Sequence, residues 1–221
     1  MNLHENGFEI VNEFIPEEWH SRILEEVEAS DISLEMSGVR NIDKKLDSVL
    51  NYLSSDSFKK SASLYLAENS KLVRAILFNK SPGSNWFVTW HQDRTVAVSR
   101  KFESPDWRAW TKKENILHVQ PPLEVLDSMT TIRIHLDSTP KENGCLKVIP
   151  NSHKLGILSS EEIGEIVTKA MPFFCEADRR AALIMKPHIL HASSKSVNPA
   201  NRRILHLEFS NWHLPDSVSW A

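Results

Sequence analysis

His91-Gln92-Asp93 closes the run Asn85-Trp86-Phe87-Val88-Thr89-Trp90, whose aromatic and β-branched residues read as an extended segment. Residues two apart on a strand point to the same face. The His91 imidazole and the Asp93 carboxylate would then lie side by side, able to share one metal ion. A third ligand has to come from elsewhere in the chain.

His-x-acid is a weak signal alone, because His135-Leu136-Asp137 and His206-Leu207-Glu208 repeat it. Context separates them. Asp137 runs into Ser138-Thr139-Pro140 and reads as a turn starter. His206 and Glu208 lie in what reads as the last strand. Only His91 and Asp93 leave a long following stretch able to supply a later histidine. The best candidate is His191, with His188 the rival, three residues earlier and expected on the opposite strand face. Two imidazoles and one carboxylate on one face of an ion form the facial triad of non-haem Fe(II) oxygenases. Neutral imidazoles suit Fe(II), and one carboxylate lowers its charge without closing the site. Three adjacent positions stay open, two for a bidentate 2-oxo acid and one for O2, which a four-ligand structural site cannot offer.

Arg202 and Arg203 follow His191 in the segment 201–209. A strand arginine can grip a carboxylate with two parallel hydrogen bonds, which would suit the distal carboxylate of 2-oxoglutarate. Adjacent strand residues point opposite ways, so at most one of the two should face the lumen.

The positioning elements are read from periodicity. Residues 7–15 alternate like a half-buried strand, and Pro16 then suits a first helical turn. Trp19, Ile23, Leu24 and Val27 keep helical spacing to about residue 29. Segments 43–54 and 56–68 read as two more amphipathic helices. From Lys71 the pattern turns to strands, over 72–78, 85–93, 95–98, 129–136, 145–149, 173–177, 182–186, 188–192 and 202–209. Ser81-Pro82-Gly83-Ser84 and 140–144 read as turns, and 100–122 as a long irregular lid or binding loop. Ser159 and Glu162 form a capping box for a helix over 160–170. Helices first and short strands later predict an α+β chain, helical to about residue 70, with a barrel or sandwich over about 71–215. One domain over 1–221 is expected.

The totals exclude other classes. Net charge is −3 over 221 residues, with no basic footprint for nucleic acid. No apolar run nears the ~20 residues of a membrane span, and no secretory signal is visible. Cys145 and Cys175 make no disulfide framework and read as buried small hydrophobes. A cytoplasmic protein acting on a small molecule is expected; oligomeric state is unreadable.

Four blocks then carry a resemblance: Trp90-His91-Gln92-Asp93; Asn143-Gly144-Cys145-Leu146-Lys147-Val148-Ile149-Pro150-Asn151-Ser152-His153-Lys154-Leu155-Gly156; His191-Ala192-Ser193; and Arg202. In this order they resemble the phytanoyl-CoA dioxygenase family of Fe(II)/2-oxoglutarate oxygenases, especially its small bacterial members of unassigned substrate. The resemblance implies a double-stranded β-helix (jelly-roll, cupin-like) with flanking helices. It implies Fe(II) on His91, Asp93 and His191, the 2-oxoglutarate C5 carboxylate on Arg202 with help from Ser193, and O2 as co-reactant. The expected reaction is hydroxylation of a small molecule with release of succinate and CO2. Asn151 departs from the family's usual Gly, though Asn tolerates left-handed backbone. A catalytically silent barrel binding 2-oxoglutarate or another small molecule is the alternative, and Zn or Mn chemistry on the same barrel a third. His153 reads as a turn residue. Trp86, Trp90, Trp107 and Trp110 read equally as pocket or core, and His118 as a loop histidine within reach of substrate.

Overall fold

A computed structural model describes residues 2–30, 32, 38–81, 83–113, 115–197 and 201–221. Pro82, in the expected turn 81–84, lies outside them. The chain opens with α1 (Leu3–Asn6), β1 (Phe8–Val11), α2 (Glu17–Ala29), β2 (Gly38–Arg40), α3 (Asp47–Ser54) and α4 (Asp56–Ala62). Strands β3 (Lys71–Lys80), β4 (Val88–His91), β5 (Val96–Val98), β6 (Arg108–Lys113) and β7 (Ile116–Gln120) follow. Then come α5 (Leu123–Ser128), β8 (Met129–His135), β9 (Leu146–Val148), α6 (Ser160–Lys169), β10 (Phe173–Cys175), β11 (Ala182–Met185), β12 (His191–Ser193) and β13 (Arg202–Ser210).

Two antiparallel sheets build the double-stranded β-helix. The larger runs β1-β11-β8-β13-β3-β2 and the smaller β10-β9-β12-β4. They face each other across Phe8, Leu183 and Met185 from the larger and Leu146, Val148 and Cys175 from the smaller. The larger sheet is buried on both faces, because α2, α3 and α4 cover its back. There Ile23, Val27, Val49, Tyr52 and Phe58 meet Ile132, Ile134, Leu205 and Leu207. Apolar side chains of this size contribute roughly 1.5–3 kcal/mol each when fully buried. β13 is therefore buried along its whole length, and alternation divides its residues between the helical layer and the interior.

The boundaries of α2 and α6 follow their sequence signals. Pro16 precedes α2, and Ser159 with Glu162 closes a complete capping box on α6. Three expectations are corrected. The helix expected over 56–68 stops at Ala62, and the chain leaves through turns on the Ala62 carbonyl. The strand expected at 188–192 is displaced to 191–193, because the Ile189 N–H bonds the Lys186 carbonyl in a turn around Pro187. Segment 100–122 is not an irregular lid: β7 pairs with β5 on one side and β6 on the other in a third sheet. Its alternation is hidden by a register shift between Arg108 and Thr111, where Ala109 takes φ 51°. Trp107 packs with Val96, Val98 and Val119, so that indole is core. Trp90 is likewise packing, against the Ile149–Leu158–Leu190 cluster beside α6.

Candidate metal centre

His91 and His191 are Cα partners on the paired antiparallel strands β4 and β12. Directly opposed residues share a sheet face, and their ring centroids are 4.2 Å apart. β4 ends at His91, so Asp93 comes from the following turn rather than from the strand. The turn returns it to the same place: the Asp93 N–H bonds the Pro187 carbonyl at 3.0 Å. Asp93 Oδ1 lies 3.8 Å from His91 Nε2, and Oδ2 lies 3.6 Å from His191 Nε2. One ligand atom from each of the three residues falls within 4.8 Å of the others.

Backbone carbonyls orient both rings. His91 Nδ1 donates to the Thr89 carbonyl at 2.8 Å and His191 Nδ1 to the Ile189 carbonyl at 2.9 Å. Each Nε2 lone pair is thereby left facing Asp93. Burial pushes the His191 imidazole down to about 4, so it is neutral at physiological pH and its Nε2 is free to take a metal ion. Burial opposes ionisation of Asp93, but His191 and His91 beside it hold the carboxyl below its ordinary value. Gln92, unremarked in the sequence beyond its place in His-x-Asp, fixes the turn between the two. It donates to the Gly156 carbonyl at 2.7 Å and the His188 carbonyl at 2.8 Å, and accepts from the Leu158 N–H at 2.9 Å.

His188 is elsewhere. It is fully buried with Nε2 3.1 Å from Asp127 Oδ1 and its ring beside His153. The turn before His191 is held by Ser152, whose Oγ accepts from the Leu190 N–H at 2.8 Å. Asn151 takes φ 67°, the left-handed conformation that Gly would supply.

The two arginines separate as alternation requires. Arg203 faces the helical layer, in a two-point grip on Asp137 (both 2.8 Å) and a third bond to Glu28 at 2.8 Å. Asp137 is therefore an ion-pair partner as well as a turn residue. Arg202 faces the interior and is 5 % exposed. It donates to the Gly144 carbonyl, and its Nε has no partner. Its cross-strand partner is Lys80, whose ammonium donates to Ser193 Oγ at 3.1 Å and the Ser194 carbonyl at 2.6 Å. Burial, then Arg202 and Arg133, push Lys80 down to about 7. Burial and Arg133 push Arg202 down to about 10. Among the described residues no carboxylate lies in hydrogen-bond contact with Arg202, Lys80 or Arg133. Buried cations without a counter-ion are costly, and a carboxylate is the ligand that would relieve this set.

Sequence reasoning missed Lys80, Arg133 and the pair His206–Glu208. His206 Nε2 donates to Glu208 Oε1 at 2.8 Å, and Arg133 donates to His206 Nδ1 at 2.7 Å. Asp93, His206 and Glu208 also bring ligand atoms within 4.8 Å of one another. Strand register was the missing signal: it pairs His206 with Arg133, and Arg202 with Lys80.

A family comparison decides the assignment. The model of the family described as Phytanoyl-CoA dioxygenase (PhyH) matches residues 3–204. The chain belongs to the phytanoyl-CoA dioxygenase family. These are iron- and 2-oxoglutarate-dependent oxygenases. Among curated proteins none matches the chain. Solved structures share the phytanoyl-CoA dioxygenase fold. AviO1 from Streptomyces viridochromogenes Tue57 superposes with TM-score 0.69 at 16 % identity, over 96 % of this chain and 93 % of its own. HygX from Streptomyces hygroscopicus, with nickel and 2-oxoglutarate bound, gives 0.64 at 11 %, over 94 % and 83 %. The epimerase SnoN, in complex with Fe3+, alpha ketoglutarate and nogalamycin RO, gives 0.68 at 11 %, over 99 % and 82 %. No helix among the described residues is long and apolar enough to cross a membrane.

Proposed function

We propose that the protein is an Fe(II)- and 2-oxoglutarate-dependent dioxygenase that hydroxylates a small molecule, releasing succinate and CO2. One observation carries the reading. Two imidazoles with free Nε2 lone pairs and one carboxylate converge at 3.6–3.8 Å, and buried Arg202 and Lys80, without a carboxylate partner among the described residues, share the same interior. The donor set fits a divalent iron, and the cation pair fits the C5 carboxylate of the cosubstrate. HygX and SnoN carry a metal with 2-oxoglutarate in their own structures, which agrees with this pairing.

His91, Asp93 and His191 would hold the iron and leave adjacent positions open. Bound iron supplies O2 activation coupled to oxidative decarboxylation of 2-oxoglutarate. The chain's own residues do the positioning. Thr89 and Ile189 carbonyls fix the imidazoles, and Gln92 fixes the turn that delivers Asp93. Arg202 and Lys80 hold the distal carboxylate, and Ser193 holds the Lys80 ammonium in place. The small sheet and α6 shield the site from behind.

The test is anaerobic titration of the protein with Fe(II) and then 2-oxoglutarate, watching for a visible charge-transfer band, followed by succinate assay under O2. Asp93→Ala is expected to remove succinate formation while leaving the circular dichroism and melting profile of a folded protein. Full turnover in Asp93→Ala would remove the triad assignment. Iron bound with no band would favour the catalytically silent barrel.

A further inference from the structure

Further along β13 from Arg202 the interior holds a second polar cluster. Glu208, four strand residues past Ile204 on the same face, is fully buried, with an oxygen within 4.8 Å of Asp93. Its Oε1 accepts from Arg74 at 2.5 Å and from His206 at 2.8 Å. Its Oε2 has no partner. The cross-strand neighbours of Glu208 are Thr131 on β8 and Arg74 on β3. Thr131 is fully buried with Oγ1 unpartnered, and Arg74 Nε is also unpartnered. His118, 2 % exposed, turns away from the Leu117–Val119 face of β7, and both its ring nitrogens are unpartnered. Burial, and then the Arg74, Lys113 and Arg40 charges, push that imidazole down to about 4 against the opposing pull of Glu208.

Each buried polar atom left unsatisfied costs about 1–3 kcal/mol, and native folds keep few of them. Among the described residues five such atoms come from four strands, and Glu208, with Thr131 and Arg74 as its cross-strand partners, lies beside a metal-ligand candidate. We propose that Glu208, Thr131, His118 and Arg74 form the substrate subsite, and that the substrate group it takes is a neutral, hydroxyl-bearing one, a polyol or sugar-like moiety.

The donor and acceptor types decide the class. Glu208 Oε2 only accepts, Arg74 Nε only donates, and Thr131 Oγ1 does both. A neutral His118 ring offers one nitrogen of each kind. An acyl chain would leave all five atoms bare. An anion would suit Arg74 but face the Glu208 carboxylate, and an ammonium would suit Glu208 but face Arg74. Hydroxyl groups donate and accept at once, so two or more satisfy the set without adding charge. This inference rests on the oxygenase reading only in naming the ligand as substrate.

The test uses the Fe(II)- and 2-oxoglutarate-loaded protein under argon, with methyl α-D-glucopyranoside, hexanoate and hexylamine as probes. Binding is read by saturation-transfer NMR, and the charge-transfer band is recorded on the same samples. The glucoside is expected to bind, and Thr131→Val to weaken it about fivefold, the loss of one hydrogen bond. Should Thr131→Val fail to fold, His118→Phe supplies the same comparison. Glucoside binding that neither variant weakens, or tighter Thr131-dependent binding of hexanoate or hexylamine, overturns the assignment. No glucoside binding at all overturns it too and leaves these atoms to ordered water. A band without side-chain-dependent glucoside binding removes the subsite alone. Glucoside binding that depends on Thr131 but comes without a band keeps the subsite and removes the oxygenase reading.

Discussion

Replacing Arg202 by Met should separate binding from stability. The side chain is buried, bonds one backbone carbonyl and, among the described residues, touches no carboxylate. Burial and Arg133 lower its pKa from 12.5 to about 10, which corresponds to roughly 3 kcal/mol against the charged form in the fold. Removing the charge recovers that penalty. The lost bond from a charged donor to the Gly144 carbonyl costs about 1.5–3 kcal/mol in the other direction, and Met retains most of the apolar stem. The two nearly cancel, so Arg202→Met should unfold in urea within about 1 kcal/mol of the parent. Cosubstrate binding has no such compensation. Loss of a charge-assisted grip worth about 1.5–3 kcal/mol raises the 2-oxoglutarate concentration at half-maximal band by about 10–150-fold.

Arg203→Met provides the contrast. It strips the two-point grip from Asp137. A cost of about 2–3 kcal/mol is expected, below the usual 3–5 for a fully buried pair because Asp137 and Glu28 keep some water. Cosubstrate affinity should be unchanged. The reasoning fails if Arg202→Met is destabilised by several kcal/mol with an unaltered titration, or if both variants impair 2-oxoglutarate equally.

Lys80, lowered from 10.5 to about 7 by burial, Arg202 and Arg133, gives a pH signature. Below pH 7 the full penalty is present; between about 7 and 10.5 the unfolded chain binds more protons, so stability rises with pH by a few kcal/mol, and Lys80→Met should flatten that rise in urea titrations. A carboxylate in the pocket favours the ammonium, so 2-oxoglutarate affinity should fall by up to about tenfold per pH unit above 7; calorimetry in buffers of different ionisation heat should record proton uptake that Lys80→Met abolishes. Gln92→Leu takes this partner from the Gly156 and His188 carbonyls and the Leu158 N–H. It should cost about 2–4 kcal/mol in melting and weaken iron binding about 10–100-fold. Gly144→Ala puts a Cβ at φ 65° into the Ser194 carbonyl oxygen, and should destabilise by at least about 2 kcal/mol, read as a lowered Tm.

The residues that converge on Asp93 were legible because their types are chemically unusual and, for His91, because the spacing is short. His91 and Asp93 sit two apart, and His191 sits in a segment rich in strand formers. The helix starts at Pro16 and Ser159 were legible because capping is local. The missed parts are non-local. Lys80 ends an apolar strand, where a lysine ordinarily reaches solvent; only pairing with β13 encloses it beside Arg202. His206-x-Glu208 looked like a decoy because alternation reports a face, not what lies across the interior. Residues 100–122 looked irregular because one bulge at Ala109 breaks a period-two pattern.

The pair Arg202-Arg203 shows how one strand performs two jobs that a slip of one residue would exchange. On β13 the even positions Arg202, His206 and Glu208 face the site, and the odd positions Leu205, Leu207 and Phe209 face the helices. Apolar burial alone already opposes a slip, since it would bring Glu208 into the helical layer. It is blind, however, to a slip of two, which keeps every face but carries Arg202 away from Lys80 and Glu208 away from Arg74. Arg203 closes that gap. Its backbone N–H and its side chain both bond Asp137, the residue two past the end of β8. Because Asp137 follows directly on β8, this grip favours the observed register of β13. The arginine on the outer face thus reinforces the register that pairing of β13 with β3 already gives the inner one.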